Sequence, residues 1–320
     1  MSLVVVDNLV RYYGDHRAVD GISFNLNAGD ILGFLGPNGA GKSTTMQMLT
    51  GNLAPHEGEI RILGVDLLDY PKQAKTEIGY LPEQPPLYKE NTVDEYLNYC
   101  AHLHRIEKGQ VKNAVELAKD RCGLAGVGRR LIGNLSKGFQ QRVGIAQAII
   151  HSPKVIILDE PTVGLDPNQI REIRELILEL GNEHGIILST HILPEVQTLC
   201  TRVQIINQGK FVYEADMAEL LNRSSTGFYE IDLLHPPSID TLYKTADINK
   251  VEQIGKNSFL VHTTNTTAEN IANAAIANNW GLIRLCPHQR TLEQIFIDLT
   301  LSDASSQHPV EDQTPSEATA

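Results

Sequence analysis

Gly36-Pro37-Asn38-Gly39-Ala40-Gly41-Lys42-Ser43, with Thr44 behind it, decides how the rest of this chain reads, because it satisfies G-x-x-x-x-G-K-[ST] at every position. The apolar run Ile31-Leu32-Gly33-Phe34-Leu35 before it predicts a buried strand. Lys42 to Thr50, closed by Gly51, predicts a helix. Strand, glycine loop and helix together aim backbone N–H groups and a positive helix end at one point, which suits a bound phosphate. In such a loop Lys42 reaches the β- and γ-phosphates of a nucleotide, and the Ser43 hydroxyl is the natural ligand for the accompanying Mg²⁺.

Composition narrows the setting. The chain has 320 residues, 42% of them hydrophobic and 21% charged, which suits two folded domains. No run approaches the roughly 20 apolar residues of a membrane helix. Met1 to Asp7 lacks the basic flank and apolar length of a signal peptide, so a soluble cytosolic protein is expected. With 27 basic against 39 acidic residues the net charge is −12, which gives no general attraction for nucleic acid or anionic lipid. Cys100, Cys122, Cys200 and Cys286 lie far apart with no C-x-x-C pair, which predicts buried free thiols.

Outward from the loop, residues 3 to 35 alternate short apolar runs with turns, a β-rich entry. Tyr12-Tyr13-Gly14 is placed in the first turn, where an aromatic suits either adenine stacking or ordinary packing. Pro82-Glu83-Gln84-Pro85-Pro86, after the strand Ile78 to Leu81, reads as a loop. From Thr92 the periodicity is helical, opened by the capping box Thr92-x-x-Glu95. His102 and His104 are two apart on that helix, too divergent to share a metal, and read as surface residues. Leu135-Ser136-Lys137-Gly138 then opens another helix with Ser136 as a ready N-cap.

Val155-Ile156-Ile157-Leu158-Asp159-Glu160 is a hydrophobic strand that delivers two acids at its carboxyl end, where open α/β sheets present catalytic groups. Asp159 is expected to hold the Mg²⁺, directly or through water, and Glu160 to polarise the attacking water. Ile186 to His191 is a second buried strand ending in a functional residue type. There the structural and ligand readings of His191 are evenly balanced.

The phosphate loop at 36–44, Leu135-Ser136-x-Gly138 some twenty residues before the acidic strand at 155–160, Asp166 and His191 together resemble the ATP-binding cassette of ABC transporters. The resemblance covers about residues 3 to 220. It implies an α/β fold with a mixed β-sheet core and a helical subdomain at about 92–140. It further implies that Ser136 and Gly138 meet the γ-phosphate of ATP held by a partner subunit in a head-to-tail dimer. Tyr13 would stack adenine, His191 contact the γ-phosphate, and Asp166 lie across the dimer seam. The partner beyond the homodimer or pseudo-dimer would be an integral membrane permease, which would hold the chain at the cytoplasmic face of the inner membrane. No nucleic-acid partner is expected.

Two positions depart from the family pattern. Lys137 and Phe139 stand where Gly and Gln are common, and Glu83 followed by Gln84 occupies the place of the usual Mg²⁺-sensing glutamine, leaving open which of the two acts. Both departures look like those of bacterial drug-resistance, sodium-extrusion and gliding-motility type exporters.

Residues 1–222 are thus expected to form the cassette, and 223–302 a small α+β domain whose order β-α-β-β-α-β suggests a ferredoxin-like fold. Residues 303–320, acidic and without Lys or Arg, are expected to be a disordered tail. The functional expectation is an ATPase subunit driving a separate permease. The rivals are a soluble cassette acting on ribosome or nucleic acid, and a non-transport ATP-binding regulator. A single phosphate loop, no cysteine cluster and the presence of Glu160 weigh against both.

Overall fold

A computed structural model describes residues 2–222, 228–245, 248–263, 268–287 and 292–301. The expected tail lies outside the described residues. The chain divides into two units, Met1–Met217 and Ala218–Ala320.

The first unit opens with β1 (Ser2–Tyr13), β2 (His16–Asn27) and β3 (Ile31–Leu35), then α1 (Lys42–Leu49), β4 (Glu57–Ile62), β5 (Val65–Asp66), α2 (Pro71–Lys75) and β6 (Ile78–Leu81). Helices α3 (Val93–Leu103), α4 (Val111–Arg121) and α5 (Lys137–Ile149) follow. The unit continues through β7 (Val155–Asp159), α6 (Pro167–Gly181), β8 (Gly185–Thr190), α7 (Leu193–Leu199), β9 (Arg202–Asn207) and β10 (Lys210–Asp216), and α8 (Met217–Asn222) begins at its end.

Two sheets result. The antiparallel sheet has the order β2-β1-β4-β5, and the six-stranded sheet the order β10-β9-β3-β8-β7-β6. In the larger sheet β9, β3, β8, β7 and β6 are parallel, and only β10 turns back. Strands β3, β7 and β8 are buried along their whole length, which is why their sequences are continuous apolar runs rather than alternating ones. Parallel pairing brings the carboxyl ends of β3, β6, β7 and β8 to one edge, with Leu35 opposite Thr190 and Asp159 opposite Ser189. That edge is where such sheets bind ligands.

The core between the sheets gathers Phe24, Phe34, Met46, Leu49, Ile60, Ile157 and Ile187. Phe24 and Phe34 meet edge to face at 5.1 Å, an arrangement that adds roughly 0.5–1.5 kcal/mol beyond burial. Helix α5 presses on β6 so closely that a Cβ at Gly79 would stand 2.1 Å from the Ala148 carbonyl oxygen. The capping box forms as its sequence predicts: Thr92 Oγ1 accepts from Glu95 N at 3.2 Å, and Glu95 Oε2 accepts from Thr92 N at 2.8 Å.

Two expectations need correction. Tyr12 and Tyr13 are the last residues of β1, not turn residues, because pairing continues to Tyr13 opposite His16 across the tight Gly14-Asp15 turn. Cys100, Cys122 and Cys200 are buried free thiols, but Cys286 is exposed, next to Leu285, which packs on the core. His102 and His104 are exposed as expected, and the His104 ring also stacks on His151 with centroids 3.8 Å apart.

The second unit comprises β11 (Phe228–Leu233), α9 (Ile239–Thr245), β12 (Ile248–Gln253), β13 (Ser258–Thr263), α10 (Ala268–Ala277), β14 (Leu282–Pro287) and α11 (Leu292–Leu301). Its sheet is antiparallel with the order β12-β13-β11-β14, the split arrangement of a ferredoxin-like domain. Tyr229, Ile231 and Leu233 alternate with outward residues along β11 and join Phe259, Val261, Leu242, Ile271 and Trp280 in a separate core.

Candidate functional site

The loop from Gly36 to Gly41 leaves β3 and winds into α1. Its last residue, Gly41, caps the helix at φ 109°, and a Cβ there would stand 2.4 Å from the Ala18 carbonyl oxygen, so no other residue fits. Lys42 is buried, and its Nζ donates to the carbonyl oxygens of Gly36 at 2.8 Å and Pro37 at 3.2 Å. The same Nζ lies 3.6 Å from Glu160 Oε1. Loop and helix start bound a cavity of about 300 Å³ lined by Ala18, Asn38, Gly39, Gly41, Lys42, Ser43, Thr44, Glu83, Glu160, Val163 and His191.

The acids arrive from β7. Asp159 is buried and accepts hydrogen bonds from the hydroxyls of Ser189 and Ser43, the latter at 3.4 Å. Glu160, one residue beyond the strand, is also buried and has φ 49°, an uncommon backbone conformation for a residue with a side chain. Such a conformation costs of order 1–3 kcal/mol and persists where surrounding bonds hold it, often at functional sites. Here the Glu160 amide donates to Ser189, to its carbonyl oxygen and its Oγ, both at 3.1 Å. The Glu160 carboxylate in turn meets His191, with Oε2 and Nδ1 separated by 2.9 Å.

The donor set can be tested against a divalent cation. Ser43 and Asp159 put a hydroxyl and a carboxylate side by side, and Glu83 brings a further carboxylate to the cavity wall. Oxygen-only donors with one or two carboxylates suit Mg²⁺, which takes its remaining ligands from water and phosphate. Among the described residues no cluster of three or more His, Cys, Asp or Glu is arranged to hold a metal by itself. Of the two residues left open in the sequence, Glu83 lines the cavity and Gln84 is not among its lining residues.

The remaining candidates lie apart from this wall. Gly36 and Pro37 serve it through the carbonyls that hold Lys42, and Ala40 is buried behind the loop. Tyr13 is half-exposed at the end of β1, with the Arg11 guanidinium 5.3 Å above its ring. Ser136 caps α5 by accepting from Phe139 N at 3.4 Å, and a Cβ on Gly138 would stand 2.6 Å from the Gln169 side chain. Asp166 caps α6, accepting from Asn168 N at 3.0 Å and Gln169 N at 3.1 Å. Sequence reasoning missed Ala18 and Val163, which carry no chemical signal. It also missed Ser189, whose signal was a polar residue ending an apolar strand beside the acidic one.

Residues 19–163 match the ABC transporter family. The chain is 40% identical over 302 residues to the bacitracin transport ATP-binding protein BcrA of Bacillus licheniformis, a span of 93% of this chain and 90% of that protein. It is 31% identical over 310 residues to the linearmycin resistance ATP-binding protein LnrL of Bacillus subtilis, covering 93% and 98%. Among solved structures, an ATP-binding subunit of an ABC transporter superposes with a TM-score of 0.63 at 29% identity, covering 75% of this chain and 98% of that one.

Proposed function

This chain belongs to the ABC transporter family as an ATP-binding, ATP-hydrolysing subunit, and on that premise we propose how its own residues bind and spend the nucleotide. The observation that carries the reading is the convergence of Lys42, Glu160 and His191 on one cavity at the mouth of the 36–44 loop. Subunits of this family dimerise and work with membrane permeases.

The triphosphate lies against the backbone amides of residues 38 to 44, with the positive end of α1 behind it. Lys42 exchanges its carbonyl partners for the β- and γ-phosphates. Ser43 and Asp159 would hold a Mg²⁺ ion, with Glu83 as the sensing carboxylate and Gln84 outside the site. Such an ion would supply positive charge to neutralise the phosphates. Glu160 orients and polarises the attacking water, and His191 keeps the Glu160 carboxylate in place while meeting the γ-phosphate with its other nitrogen.

Two copies close head to tail, so that Ser136 and Gly138 of one complete the pocket of the other. Asp166 stands at the seam and Tyr13 stacks on adenine. The domain reading is a cassette over 1–222 and a bracing domain over 223–302. The names of the bacitracin and linearmycin relatives support a further step: the partner permease exports, and the chain works beside it at the cytoplasmic face of the membrane.

Cysteine pairs test the dimer. In a Cys286→Ser background, Asn38→Cys and Ser136→Cys are expected to crosslink between chains when ATP is added. Crosslinks that form only within one chain would overturn the head-to-tail reading. Deletion of the gene in its host, scored by sensitivity to bacitracin, tests export.

A further inference from the structure

Beyond the cavity, three consecutive residues at and just past the end of β8 bond to three different carboxylates, two at the end of β7 and one on α7. Ser189 donates to Asp159, His191 bonds Glu160 at 2.9 Å, and between them Thr190 Oγ1 donates to Glu195 Oε2 at 2.8 Å. Glu195 sits on α7 and is 0% exposed. Its second oxygen accepts from the Thr162 hydroxyl, in the segment that runs from Glu160 to Asp166, and Arg174 of α6 approaches it at 3.8 Å. Thr162 and Thr190 are themselves buried, and Thr190 Oγ1 also accepts from Ile192 N at 3.0 Å.

A carboxylate without water is costly unless both oxygens are bonded, and an apolar side chain of similar volume would fill the space without that penalty. What the carboxylate adds is a pair of directed tethers. One holds the residue before His191, and the other holds the second residue after Glu160.

We propose that Glu195 is a positioning residue for ATP hydrolysis, fastening the His191 loop to the 162–166 segment so that the two move as one piece. The proposal rests on the roles given above to Glu160 and His191 and deepens them. It adds a mechanical link from the γ-phosphate contact to the segment leading to Asp166.

The test uses the full chain carrying Thr190→Val, Thr162→Val or Glu195→Gln, with Thr190→Ser as the conservative variant. Misplacing a reacting group by a fraction of a bond length slows catalysis steeply, so kcat is expected to fall about tenfold to a hundredfold in the first three, while KM for ATP stays within about twofold. Thr190→Ser restores turnover. The losses in Thr190→Val and Glu195→Gln combine non-additively, because both cut one network. ATP-dependent hydrogen-exchange protection over residues 162–166 disappears in the slow variants.

Wild-type kcat in both valine variants would overturn the proposal. So would a loss that tracks a lowered melting temperature and weakened ATP binding, with unaltered exchange at 162–166. If a valine variant does not fold, because it strips one bond from the buried Glu195 carboxylate, Glu195→Gln, which removes that charge, decides alone. Glu160→Gln is measured alongside: turnover surviving there sinks the catalytic assignment, whereas turnover lost there but intact in the valine variants sinks only the tether.

Discussion

Nδ1 of His191 stands 2.9 Å from Oε2 of Glu160, and the carboxylate's other oxygen stands 3.6 Å from Lys42 Nζ. A carboxylate accepts, so Nδ1 carries the proton and Nε2 is the nitrogen left to meet a ligand. Glu160 is thereby held between the residue of the phosphate loop and the residue at the end of β8. Replacing Glu160 by Gln keeps its shape but removes its basicity. Turnover is expected to fall by about 10²-fold or more, the range a positioned general base supplies, with ATP affinity retained and an ATP-bound dimer accumulating. Phosphate release and size-exclusion chromatography with ATP check this. Unchanged steady-state hydrolysis would remove Glu160 from its role.

Lys42 is buried against two carbonyl oxygens, so its charge is pre-positioned rather than recruited from solvent. Lys42→Ala is expected to abolish measurable ATP binding by calorimetry while the melting temperature without nucleotide changes little. Tight binding in that variant would contradict the phosphate assignment.

The stacked pair His104 and His151 predicts a pH dependence of stability. Burial, and then the neighbouring His104, push His151 down from 6.5 to about 4, and burial also lowers His104. Both rings are neutral in the folded chain where the unfolded chain takes up protons. Stability is therefore full above about pH 6.5 and declines as pH falls toward 4, by roughly 3 kcal/mol for His151. Urea midpoints between pH 4.5 and 7 should show the decline, and His151→Phe should flatten much of it. His104 and His184, lowered by burial, contribute to the residual slope, as do carboxylates held low by hydrogen bonds, such as Glu95 at Thr92 and Asp20 at Arg17. An equally steep decline in His151→Phe would refute the assignment.

Thr92 is a pure test of local structure, since its hydroxyl and Glu95 close the start of α3 away from the cavity. Thr92→Ala is expected to cost about 1 kcal/mol of stability with kcat for ATP unchanged. A chemical-denaturation series measures the first quantity and an ATPase assay the second.

The parts of this molecule that the sequence displays are those whose chemistry and backbone demands coincide. Gly41 must be glycine for the helix entry and Lys42 must follow it, so the loop reads unaided. Asp159 and Glu160 read because an apolar strand ending in two acids has few other uses. Ser136 reads as a helix cap and caps α5 in the structure, whereas the capping of α6 by Asp166 emerges only from the structure. What stayed hidden depends on strand order. Nothing local to Ser189 announces that β8 lies next to β7, so its bonds to Asp159 and to the Glu160 amide emerge only from the register. Glu195 was hidden for a related reason: a Glu on a short helix reads as solvated until Thr162 and Thr190 are seen to enclose it. Tyr13 ends a strand twelve residues long whose interrupted apolar runs read as separate segments.

The four thiols differ in one useful respect: Cys100, Cys122 and Cys200 are shut away, and Cys286 on β14 opens to solvent. A maleimide dye should therefore label the native chain once, in the C-terminal unit, without any engineering. A fluorophore so placed gives a spectroscopic handle on that half of the molecule during each turnover.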